Sequence, residues 1–216
     1  MLLKRGVVAA LAAAVGATGC SDDAPTTCPI GDRARPLEIV AVHWPAGGAV
    51  EDLVDGGAVE LVRPIQGGKV VYVGVRARNV DGCNVQLTAA LRDPATQQVI
   101  ALEQRPVRLV DGGDGWGRAE STFDHLANVP ACPNAAAARD VDGAAWALEL
   151  RLDEAGGRTA TTTLVVAPRC GLVDEEAECR CECDSDYELG AACPSDPVDA
   201  GDDAIADAGV DAGVDA

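Results

Sequence analysis

Lys69-Val-Val-Tyr-Val-Gly-Val-Arg-Ala-Arg-Asn79 is the stretch on which the fold turns. Read with a period of two, Val71, Val73, Val75 and Ala77 face one way, and Tyr72, Arg76 and Arg78 the other. One apolar and one polar face at that period marks a half-buried strand. The pattern returns in residues 84–92, where Val85, Leu87, Ala89 and Leu91 interleave with Asn84, Gln86, Thr88 and Arg92. It returns again in residues 144–153, where Trp146, Leu148, Leu150 and Leu152 alternate with Glu149, Arg151 and Asp153. Residues 38–43, 58–63, 99–109, 118–123 and 159–167 are further strand candidates.

Turn chemistry separates these runs: Gly47-Gly48, Gly56-Gly57, Gly67-Gly68, Asp93-Pro94, residues 111–117 and Gly156-Gly157. Asp81-Gly82 lies between two alternating runs and predicts a tight hairpin. Residues 154–157 predict another, joining the Trp146 strand to the Thr-rich one. Residues 135–139 predict a short helical turn. Seven or eight short strands with regular turns predict an all-β chain, an antiparallel sandwich of two sheets. With few aromatic residues, Val, Leu and Ala must fill its core. In strand count and alternation the pattern resembles immunoglobulin-like and fibronectin-like sandwich domains of bacterial surfaces.

The N-terminus has a different logic. Lys4 and Arg5 precede an uncharged run from Gly6 to Val15, and Ala17, Thr18 and Gly19 lead into Cys20. A positive start, a short apolar run and small residues form an export signal. The run is too short for the ~20 apolar residues of a spanning helix. With Cys directly after Gly19, the segment resembles the bacterial lipoprotein signal, although Ala17 stands where that family usually has Leu. The resemblance implies cleavage before Cys20, lipidation of its thiol and attachment to a membrane. Ser21 in the next place, rather than Asp, implies the outer membrane. The ordinary alternative is a plain signal peptide that leaves Cys20 to pair.

The net charge of −18 is uneven, since Asp174 to Ala216 holds 15 acidic residues against Arg180 alone. The body is near neutral and lacks the basic patch that nucleic acid requires. Setting Cys20 aside leaves eight Cys: Cys28, Cys83, Cys132, Cys170, Cys179, Cys181, Cys183 and Cys193. An even set in an exported chain reads as a disulfide framework, and eight Cys allow 105 connectivities. The Cys-x-Cys-x-Cys run at Cys179, Cys181 and Cys183 suits zinc poorly, because the paired Cys-x₂-Cys spacing is missing and no His is near. Bridges to Cys170, Cys193 or Cys28 are expected instead, with Cys83 and Cys132 as partners in the body.

The organisation that follows is a signal at 1–19, a lipidated spacer at 20–27, a β-sandwich at 28–170, a Cys-rich stapled extension at 171–194 and an acidic tail at 195–216. The tail repeats Asp-Ala-Gly-Val and is too polar to repay ordering. Similar Asp/Ala/Gly tracts occur in secreted and lipid-anchored proteins of myxobacteria-like, GC-rich bacteria, which this chain resembles in that respect.

No catalytic constellation emerges. His43 and His125 are the two His, and Ser121 near His125 lacks the Gly-x-Ser-x-Gly elbow. Residues 111–115 and 140–143 carry Asp and Gly as calcium loops do, but too few ligands, and Asp-Gly turns account for them. Of Trp44, Trp116 and Trp146, the last alternates with Leu and belongs to the core. Trp116, in a Gly-rich loop, is the candidate ligand contact. The expectation is a non-enzymatic binding or structural module in the cell envelope, with no metal or cofactor. Its partners would be the membrane and an envelope protein or glycan. A carbohydrate-binding or enzyme-accessory module is the alternative, and a hydrolase without a recognisable motif a third.

Overall fold

The structure, a computed structural model, describes residues 27–83, 85–119, 125–171 and 175–194. The leader with Cys20, the acidic tail and Ser121 lie outside the described residues. At the centre is β5 (Lys69–Arg78), with β2 (Glu38–His43) antiparallel on one edge. Its other edge is shared by β11 (Ala127–Cys132) and, at Ala77, β10 (Gly117–Ala119). β3 (Glu51–Asp52) and β9 (Leu109–Asp111) complete this six-stranded sheet. The second sheet runs in the order β4 (Gly57–Glu60), β13 (Thr159–Arg169), β12 (Trp146–Glu154), β7 (Val85–Arg92), β8 (Val99–Val107). A two-residue ladder, β1 (Pro29–Ile30) on β6 (Val80–Asp81), closes one end. The described residues form thirteen strands, more than the expected seven or eight, and seven of them have six residues or more.

Val71, Val73, Val75 and Ala77 meet Leu87, Ala89, Leu91, Leu148, Leu150 and Leu152 in one core, the faces that alternation assigned inward. Residues 154–157 turn β12 into β13, with the Gly157 N–H on the Glu154 carbonyl. The other face of β5 is not polar throughout. Val70 and Tyr72 form a second buried cluster with Ala119 and Leu126, flanked by Trp44, Val50 and Val62. Gly74 sits beneath it, and a Cβ there would come within 2.6 Å of the fully buried Leu126. Gly74→Ala should therefore destabilise the protein by ~1–3 kcal/mol of overpacking, read by urea denaturation. No loss would mean that Leu126 has room to move.

Three sequence expectations are corrected. Asp81-Gly82 is not a hairpin: β5 and β7 lie in different sheets, and the segment crosses between them. The side chains explain it. The Asp81 carboxylate accepts the backbone N–H groups of Cys28 (2.8 Å) and Cys83 (3.2 Å), and its own N–H donates to buried Glu154 (2.8 Å). The bond to Cys83 is a local Asp turn, and the long-range bonds to Cys28 and Glu154 redirect the chain across the sheets instead of back into a hairpin. The sheets are also not purely antiparallel, because β4 runs parallel to the end of β13. Residues 135–139 form a turn on Asn134, whose side chain accepts the N–H groups of Ala136 and Ala137, and no helix forms there. The helix of the described residues is α1 (Glu176–Glu182), in the Cys-rich extension. Among the described residues no helix is long and apolar enough to cross a membrane.

The strands define two poles. At one lie the end of β5, the start of β7 and the end of β12, with the Cys28–Cys83 disulfide and the Arg33–Glu154 ion pair (2.7 Å). At the other lie the starts of β5 and β12 and the ends of β11 and β13, capped by the extension.

Candidate functional site

All eight expected Cys are bridged. Cys28 joins Cys83, Cys132 joins Cys183, Cys170 joins Cys179 and Cys181 joins Cys193. The Cys-x-Cys-x-Cys residues bond outward, as expected. Cys83 and Cys132 find partners in the N-terminal segment and the extension. The extension is thereby part of the core: Cys132, Cys170, Cys179 and Cys183 are buried within the main apolar cluster. Polar bonds reinforce it. Asp140 accepts from the N–H and hydroxyl of Ser185, Asp142 from the N–H of Cys170, and the Val141 N–H donates to the Cys183 carbonyl. The Asp140 stretch is thus a docking loop for the extension. In residues 111–115, Asp111 and Asp114 accept the N–H groups of Gly113 and Trp116, the Asp-turn reading.

Lys69, with its side chain fully buried, donates to Glu175 at 2.7 Å. Glu175→Gln would leave that ammonium without its counter-charge, and urea denaturation should show a loss of ~3–5 kcal/mol, less if water reaches the half-exposed Glu175 position. Lys69→Met should be far milder, because it removes the charge itself. Equal losses for the two would refute this account.

Trp116 is half-buried, and the guanidinium carbons of Arg76 and Arg78 lie 4.7 and 4.8 Å from its ring centroid. It is a stack and not an open platform. The alternation of β5 places both Arg on one face, and each is held by a carboxylate. Arg76 grips Asp52 with two bonds of 2.8 and 2.7 Å, Arg78 binds Glu38, and Arg118 binds Asp114. Beside this zipper is a cleft of about 480 Å³ lined by Val42, Val50, Glu51, Asp52, Arg76 and Arg118. Its charges are already paired, so a ligand here would have to exchange partners with them.

A second groove, of about 280 Å³, is lined by Trp44, Val62, Pro64, Ile65, Tyr72 and Asn128. Trp44 and Tyr72 meet edge to face with centroids 5.3 Å apart, and the Trp44 Nε1–H donates to the Gly48 carbonyl. Burial pushes the Tyr72 phenol above its usual range, with Arg105 opposing. Ile65 at its rim is fully exposed. This aromatic groove was not legible from spacing, because Tyr72 was assigned to the polar face of its strand. Trp146 is fully buried, as expected. His43 contacts Glu51 at 3.2 Å, and His125 is half-buried. The chain matches no family model, no curated protein and no solved structure.

Proposed function

We propose that this chain is an exported, lipid-anchored cell-envelope protein whose immunoglobulin-like sandwich acts as a non-enzymatic binding or structural module. The observation that carries the reading is the cysteine account. Nine Cys are present and eight pair among themselves, so Cys20 has no partner left among them. That odd residue is the one that resembles a lipidation site. Four bridges fit an oxidising compartment outside the cytoplasm. Acyl chains at ~0.8 kcal/mol per buried methylene would hold the domain at a membrane, in this reading the outer one.

The test is metabolic labelling of expressing cells with an alkyne fatty acid. Label on the wild-type chain, lost together with membrane retention in Cys20→Ala, is expected. Label that survives Cys20→Ala would refute the anchor. A glycan contact is the second reading, and the Trp44–Tyr72 groove favours it over Trp116, whose ring is covered by Arg76 and Arg78. Trp44→Ala should then abolish retention on an envelope-polysaccharide column while Trp116→Ala leaves it intact. Equal retention of all three forms would exclude that groove.

A further inference from the structure

The sulfur atoms of Cys170, Cys179 and Cys183 lie within 4.8 Å of one another, although they belong to two different disulfides. Cys132, bonded to Cys183, places a fourth sulfur beside this group of three, though not within 4.8 Å of all of them. All four residues are buried. They arrive from separate elements: Cys132 ends β11, Cys170 follows β13, and Cys179 and Cys183 come from α1 and its C-terminal cap. A spacing of four residues puts the last two on one helix face. The position opposite Cys132 in the ladder is Lys69, a buried cation held by Glu175.

We propose that in its reduced form the chain binds one thiophilic divalent cation, zinc in kind, through Cys132, Cys170, Cys179 and Cys183. Four thiolates suit tetrahedral zinc, and structural zinc sites are closed and buried in this way. The site is distinct from the Cys179, Cys181, Cys183 run that the sequence suggests, because Cys181 is bridged outward to Cys193. Its two states are chemically balanced. Each disulfide takes two electrons and two protons from a dithiol, which closes to its own disulfide. Metal binding then displaces protons from the four thiols as they become thiolate ligands. The four-sulfur set carries excess negative charge once metallated, and Lys69 is the nearby cation in register with it. The disulfide-bonded protein and the metal-bound chain are then alternative closures of one cluster, and the metal would hold together the Cys that later pair.

The full-length chain is reduced anaerobically with a dithiol, freed of it by gel filtration and titrated with Co²⁺, whose colour reports its ligands. One equivalent with intense thiolate-to-cobalt charge-transfer bands and a tetrahedral visible spectrum, displaced by one equivalent of Zn²⁺, is expected. Cys170→Ser should weaken binding by more than the ~10–100-fold typical of losing an outer-shell partner. The double variant Cys181→Ser/Cys193→Ser should keep it, which separates this site from the exposed thiols. A weak octahedral spectrum, whether or not the reduced chain is folded, overturns the proposal. So does a complex that Cys170→Ser does not weaken, or one equally strong in the urea-unfolded chain.

Discussion

Removal of the Cys132–Cys183 bridge by Cys132→Ala/Cys183→Ala should lower the free energy of unfolding by about 4 kcal/mol. The cross-link spans 51 residues, and closing a loop of that length in the unfolded chain removes a large share of its entropy. No other bridge duplicates the effect. Cys28–Cys83 closes a separate loop, and Cys170–Cys179, with a separation of nine, is nested inside this one. Both sulfurs also sit in the core, so the Ala pair leaves a small cavity that adds to the loss. Urea denaturation monitored by tryptophan fluorescence measures it. The bridge between Cys181 and Cys193 spans 12 residues at an exposed edge, and its removal should cost less because only residues 184–194 are released. If the two doubles lose the same stability, the extension is an appendage and its core placement has no energetic weight.

Trp146→Ala should cost ~3–5 kcal/mol, the range for deleting a fully buried aromatic side chain. Trp146 has no exposed surface, its indole N–H donates to the Val141 carbonyl at 3.3 Å, and Arg139 covers its ring at 4.2 Å from the centroid. Deletion opens a cavity beside the loop on which the extension docks, so the variant should also make residues 175–194 more sensitive to protease. Trp116→Ala provides the contrast. It loses two cation–π contacts at a half-exposed site, worth ~0.5–1 kcal/mol each. A Trp146 variant no less stable than the Trp116 variant would remove Trp146 from the core.

Alternation made most of the sheet legible. In residues 69–79 and 144–153 the inward residues are those that a period of two selects, because one face of each strand meets a single continuous core. It misjudged Tyr72, since the outer face of β5 is covered over half its length by Leu126 and Trp44, and local patterning cannot see a cover that arrives from 28 and 54 residues away. β11 escaped notice because Pro130 interrupts it. Among the described residues the strand pairs with β5 alone, and proline is tolerated where one edge needs no ladder bond. The parallel pairing of β4 and the disulfide partners depend on topology, which short-range signals do not encode. The Trp44–Tyr72 groove escaped for the same reason as Tyr72. The Trp116 site was found by its loop, but its covering by Arg76 and Arg78 is a contact between strands.

The two poles have a mechanical consequence. The chain enters at the Cys28–Cys83 end and reaches Pro194 by way of the Cys-rich cap at the opposite end. Tension between those points runs along β5, β7 and β12, so it loads their ladders in shear, with many hydrogen bonds sharing the force at once. The load enters and leaves through covalent cross-links, Cys83 at one end and Cys132 at the other, which keep terminal segments from peeling away one bond at a time. A domain strung in this way resists a pull applied between its two ends.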